Sequence, residues 1–130
     1  MKLFLLMLLL HFIADYTLQG CLANMKQKSW WIEQCKNHGF DFAKYKYDYV
    51  CSLICHALYW TLITFAPIIF FSDLSDIGIT AVVIGNMTIH AVIDHIKANK
   101  FKINLIVDQL LHLAQIFVTY EVFYGIMLWR

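Results

Sequence analysis

His11 and Asp15, His90 and Asp94, and Asp108 and His112 form three imidazole–carboxylate pairs, each spaced four residues apart, and His56 stands without such a partner. Residues four apart share one helix face. Imidazole and carboxylate together are ligands for zinc or another first-row divalent ion. Four histidines and three aspartates could hold one ion, with an aspartate orienting a histidine ligand through its second ring nitrogen. They could equally hold two ions bridged by an aspartate, the pair activating water. Near lipid headgroups, such a centre would hydrolyse a phosphoester or an acyl bond. All seven residues are candidate ligands and zinc is the expected ion. His56 and Asp15 are the candidate catalytic residues, with His56 a ligand or general base. Two other chemistries fit the same residue types. The pairs can neutralise one another and only hold helices together, or they can pass protons or metal ions. A conduit needs polar residues reaching the far face, and the chain offers little there beyond Asn86, Gln115 and Glu121.

The elements that carry these pairs are oily. The chain has 130 residues, enough for one domain. It is 61% hydrophobic with a mean hydropathy of +0.62, too apolar for an ordinary soluble domain of this size. A membrane span needs about 20 mainly apolar residues. Four segments approach that length, at roughly 3–20, 50–71, 77–96 and 104–126. The expected fold is therefore all-α: a four-transmembrane-helix bundle forming a single integral membrane domain, with a short interfacial segment at 21–49 between helices one and two. A soluble four-helix core would leave little charge to solvate the second and third segments.

The net charge of +1 points to neither nucleic acid nor an acidic partner, but its distribution sets a topology. Lys26, Lys28, Lys36, Lys44 and Lys46 lie between the first two segments, and Lys97, Lys100 and Lys102 between the last two. Only Lys2 and Arg130 fall on the other side, with Asp73 and Asp76 in the intervening turn. By the positive-inside rule the Lys-rich loops are cytoplasmic and both termini lie outside, in a multi-pass protein of the inner membrane. Cys21, Cys35, Cys51 and Cys55 then lie near a reducing compartment, where free thiols are expected.

At about 1.5 Å per residue, the pairs fall at one depth. Asp15 and His11 lie roughly 7 and 13 Å inside the cytoplasmic end of helix one, and His56 roughly 9 Å inside helix two. Asp94 and His90 lie roughly 3 and 9 Å inside helix three, and Asp108 and His112 roughly 6 and 12 Å inside helix four. An aspartate deep in a span costs about 3 kcal/mol, against about 0.5 kcal/mol contributed by each Leu or Ile. Such groups usually face the bundle interior and mark function. The seven are expected to converge between the helices.

Other polar residues have plainer readings. Gln19 and Gln109 are either donors supporting the cluster or interhelical hydrogen bonders. His95 follows Asp94 directly and faces elsewhere, His38 is solvated in the polar loop, and Glu121 is interfacial. Cys51 and Cys55 read as small buried hydrophobes rather than thiolate ligands. Asn86-Met87-Thr88 matches a glycosylation acceptor but lies inside a span. Ala81 and Gly85 have the spacing for a close helix contact. Leu18 to Cys21, "LQGC", resembles a lipoprotein cleavage box, but Gln19 fits it poorly and His11 and Asp15 interrupt the apolar region that a signal needs. In the interfacial segment, 22–39 reads as a surface helix ended by Gly39, with Trp30 and Trp31 at headgroup level. Residues 40–49 read as an extended surface stretch or an early start to helix two. Pro67 should kink or end helix two.

"HFIADYTLQ", "HALYW", "HAVIDHIKA" and "VDQLLHL" resemble, in this order, the motifs of an uncharacterised integral membrane family, the domain of unknown function numbered 3307, found in bacteria and phages. The resemblance covers nearly the whole chain and maps onto His11, Asp15, Gln19, His56, His90, Asp94, Lys97, Asp108, Gln109 and His112. It implies four spans and supplies no activity. The aromatic stretch 38–49 departs from the usual first loop. The functional expectation is a membrane-embedded metal-dependent hydrolase whose partners are the bilayer and a lipid or phosphoester substrate, without nucleic acid and with room for a homo-oligomer. The alternative is a non-enzymatic phage or bacterial membrane effector that modifies the host envelope or excludes other phages, its cluster purely structural.

Overall fold

The computed structural model describes residues 2–128; Arg130, one of the two outer-side charges above, lies outside them. Helix α1 (Lys2–Phe12) runs directly into a π-helical segment, Ile13–Leu18. The wider turns begin just after His11 and include Asp15, and such segments are frequent at functional sites. Gly20 follows at φ +49, a left-handed conformation that favours glycine, and turns the chain into α2 (Leu22–Met25).

Residues 22–38, expected as one surface helix, form two. Gln27 is extended (φ −99, ψ 124) and separates α2 from α3 (Lys28–His38). Gly39 ends α3 at φ +69, as its type predicts. The next stretch is not extended. Asp41 caps a short α4 (Phe42–Tyr45) by accepting the Ala43 N–H at 2.9 Å. Helix α5 (Asp48–Thr64) begins two residues before the expected start of helix two. It stops just before Pro67, which sits in the first turn of α6 (Ala66–Phe71), where a missing N–H is tolerated. Ser75 then caps α7 (Asp76–Ala98) by accepting the Gly78 N–H, and α8 (Leu105–Leu128) completes the chain. The fold is all-helical, with no strand among the described residues.

Helix α5 packs along α7, α7 along α8, and α1 against both α5 and α8. Met7, Trp60, Phe65, Ile68 and Ile116 form the apolar core. The buried interior is otherwise unusual: the described residues include as many buried polar or charged side chains as buried hydrophobic ones, twelve of each. Large apolar side chains face outward instead, among them Leu9, Leu58, Phe70, Ile84, Ile106 and Val118. Helix α7 and residues Leu105–Gly125 of α8 are long and apolar enough to cross a membrane, yet only 17% and 22% of their apolar windows are buried. Ala81 and Gly85 are exposed, and a Cβ at Gly85 would meet nothing within 4 Å among the described residues. The four cysteines are free; Cys35 alone is buried, and Cys51 and Cys55 are exposed rather than packed in the core.

Candidate metal centre

All seven of the His and Asp side chains proposed from spacing are buried. They are not equivalent. Five of them, Asp15, His56, His90, Asp94 and His112, form two overlapping triads, Asp15–His56–His90 and His90–Asp94–His112. Within each triad the ligand atoms lie within 4.8 Å of one another. The Nε2 atoms of His56 and His90 are 3.2 Å apart. Around Asp94, the Nε2 atoms of His56, His112 and His90 lie at 3.2, 3.4 and 3.7 Å. Asp15 Oδ1 lies 3.7 Å from His56 Nε2. These atoms come from the π segment, α5, α7 and α8, so four chain segments must pack correctly to assemble them.

His11 stands one step outside. The indole N–H of Trp60 can only donate, and it lies 2.9 Å from His11 Nδ1, which must therefore accept. His11 then carries its proton on Nε2, and that N–H donates to Gln109 Oε1 at 3.2 Å. Gln109 Nε2 in turn donates to Asp15 Oδ2 at 2.9 Å and Asp108 Oδ2 at 3.2 Å. A directional chain thus runs from Trp60 through His11 and Gln109 to two carboxylates. With both nitrogens engaged, His11 has no lone pair left for an ion. Asp108 is also peripheral: its Oδ2 accepts from Lys97 Nζ at 2.6 Å, and its Oδ1 stands 3.6 Å from His112.

The expected arrangement in which an aspartate holds a histidine ligand by its second nitrogen is absent from the described residues. Asp94 faces the same Nε2 atoms that converge, while the Nδ1 atoms of His56, His90 and His112 have no hydrogen-bond partner among the described residues. Their rings are held by stacking instead. Trp60 lies 4.0 Å from His90 (18° between planes), and His90 lies 4.2 Å from His112 (27°). Trp60 thus fixes both His11 and His90. Its place four residues after His56 puts it on the same helix face, a signal present in "HALYW".

Lys26 is the second participant that sequence reasoning missed. Counted only as a loop charge, it reaches into the cluster with a side chain 12% exposed. Its Nζ donates to Asp94 Oδ2 at 2.6 Å and lies 3.2 Å from His56 Nε2. Asn99, at the end of α7, clamps the α2–α3 break that presents it. Asn99 Oδ1 accepts the Lys28 N–H at 2.7 Å, and its Nδ2 donates to the Lys26 carbonyl at 3.0 Å. The lone pairs of this cluster therefore already surround a cation, one tethered to the chain. The donor set of imidazole nitrogens and carboxylate oxygens fits a divalent ion of the zinc type.

The remaining residues fall where their chemistry suggests. His95 turns away to stack on Tyr49, His38 and Glu121 are exposed, and Gln19 Nε2 donates to the Asp15 carbonyl.

No curated protein and no solved structure matches the chain. A family model does, over residues 3–128, a stretch that holds every residue of the cluster. The chain belongs to the family described as Protein of unknown function (DUF3307).

Proposed function

We propose that this chain is a four-span protein of the bacterial or phage-modified inner membrane, holding one divalent ion, zinc, and hydrolysing an ester at the inner leaflet. The observation that carries the reading is the five-residue cluster. Buried imidazoles and carboxylates from four segments turn their ligand atoms toward one another, while the apolar side chains of the same helices face outward. A soluble protein would arrange these the other way round. In lipid, ionisable side chains face the bundle interior and mark function. Helices α7 and α8 supply two spans, α5 continued by α6 a third, and α1 continued by the π segment a shorter fourth. The Lys-rich loops and the cluster share one end of the bundle, which supports a site near the cytoplasmic headgroups with both termini outside.

One ion suits the geometry better than two. His90 belongs to both triads, and its Nε2 is the nitrogen facing His56 and Asp94. A divalent ion there supplies Lewis acidity, polarising a phosphoryl or acyl oxygen and acidifying a water. The chain supplies the rest. Asp94, His90 and His112 hold the site, Gln109 fixes one oxygen of Asp15, and Asp15 and His56 are placed to take and return a proton. His11 and Asp108 support the centre through Gln109 and Lys97.

A second reading has its own observation. The Lys26 ammonium at Asp94 can be the permanent cation of a purely structural cluster in a non-enzymatic membrane effector. Elemental analysis of the full chain purified in detergent separates the two. Near-stoichiometric zinc, lost in His90→Ala, is expected. Metal-free wild type with a His90→Ala variant that melts early would select the structural reading. For topology, a reporter fused after Arg130 should be active only outside the cytoplasm, and cytoplasmic activity would overturn the orientation.

A further inference from the structure

Beside the cluster, between the end of α1's π segment, α2 and the α7–α8 connection, lies a cavity of ≈ 400 Å³. Asp94 forms part of its wall, so it reaches the candidate metal centre directly. Lys26 and Lys97 line it together with the amides Gln19 and Gln27, and Phe101 and Leu105 form an exposed apolar lip. Phe101 is held at φ +53, a conformation uncommon for a bulky residue, with its ring 76% exposed. An aromatic and apolar rim around a polar, Lys-lined interior matches the boundary between acyl chains and headgroups.

Charge decides what the cavity can hold. With neutral histidines, the buried layer sets Asp15, Asp94 and Asp108 against Lys26 and Lys97, leaving one negative charge, and both ammoniums are taken up by carboxylates. In that state the layer offers an anion no unbalanced positive charge. A divalent ion held by Asp94 Oδ2 and the Nε2 atoms of His56 and His90 competes for the place of Lys26 Nζ, which lies 2.6 Å from that oxygen and 3.2 Å from His56 Nε2, and two cations repel strongly there. The ammonium must then swing out, and the cavity it already lines is the space open to it. The layer's balance becomes one positive charge, with a released ammonium facing Lys97.

We propose that this cavity binds a phosphate-bearing group, held by Lys26 and Lys97, and that the group and the metal ion bind together because the ion displaces Lys26 from Asp94. This rests on the metal reading given under Proposed function and names the substrate class of that site. The coupling is reciprocal: an anion that captures Lys26 removes the ion's competitor, so each tightens the other.

The test is a zinc titration of the full chain against a chromophoric chelator, in phosphatidylcholine nanodiscs. One arm adds inorganic phosphate and a second replaces part of the lipid with phosphatidic acid. Zinc affinity should rise on the order of tenfold in at least one arm. A rise with phosphatidic acid alone identifies a lipid headgroup, and a rise in both identifies a phosphate of either source. Lys26→Gln should tighten zinc without phosphate, because the competing ammonium is gone, and should lose the phosphate effect. Lys97→Gln should lose the effect, read as the ratio of zinc affinities with and without phosphate in the same variant, with Lys97→Arg restoring it. Zinc that binds equally well in all arms overturns this proposal and leaves the metal reading standing. Zinc that does not bind overturns both. The wild-type arms need no variant, so a misfolded substitution cannot hide the answer.

Discussion

Helices α7 and α8 meet through two buried polar regions that differ in kind. One turn from His90, Asn86 accepts Gln115 Nε2 on its backbone and side-chain oxygens at 2.8 and 2.9 Å, and Thr119 Oγ1 on its Oδ1 at 3.0 Å. Its own amide donates to the Val82 carbonyl. This region is neutral, links only two helices and closes almost entirely on itself. The second region, around Asp94, carries three carboxylates and two ammoniums, with three imidazoles whose Nδ1 atoms have no partner among the described residues. It draws on five segments, the π segment, the end of α2, α5, α7 and α8. Fastening two helices in lipid requires no more than the Asn86 arrangement. The charge and the surplus of lone pairs around Asp94 exceed what fastening requires, and that excess is the physical case for a bound ion.

Substitutions can break this contrast. Asp94→Ala should have the largest effect, abolishing zinc binding and destabilising by about 1–3 kcal/mol, because it removes the acceptor shared by Lys26 and the buried imidazoles. Chemical unfolding in detergent together with metal content measures both. If Asn86→Ala costs as much, the two regions are not different in kind. Next, Gln109→Leu should lower zinc affinity about 10–100-fold, since it removes the donor that fixes Asp15. A chelator competition in which this variant binds like wild type would detach the Trp60–His11–Gln109 chain from the site. Gln115→Leu should cost only about 0.6 kcal/mol, at most about 1.7, with zinc affinity unchanged. The smallest effect belongs to Cys55→Ser. Although next to His56 in sequence, Cys55 is exposed, so stability should stay within about 0.5 kcal/mol and zinc content should not move.

The convergence of the polar stripes was legible because its cause is simple. Helical spacing puts His90 with Asp94 and Asp108 with His112, and a span in lipid has one place to put them. Gly39 and Pro67 likewise mark boundaries through fixed backbone chemistry. Three features were hidden. The π segment leaves no trace in a pattern of apolar residues, so His11 and Asp15 both read as ligands when one serves the other. Lys26 reads as a loop charge, because nothing local shows that Asn99, 73 positions away, aims its side chain inward. Trp60 is one aromatic among many unless its spacing from His56 is weighed. Each depends on contacts between distant segments. The supporting groups are therefore harder to see in a sequence than the groups they support.

X-ray absorption at the zinc edge, on the metal-loaded full chain in nanodiscs, tests the central claim most directly. One tightly held ion is expected, with a nitrogen and oxygen shell at about 2.0–2.1 Å, the outer scattering of imidazole rings, and no sulfur shell near 2.3 Å. A chain that retains no ion, or one whose ion is ringed by sulfur, would contradict it.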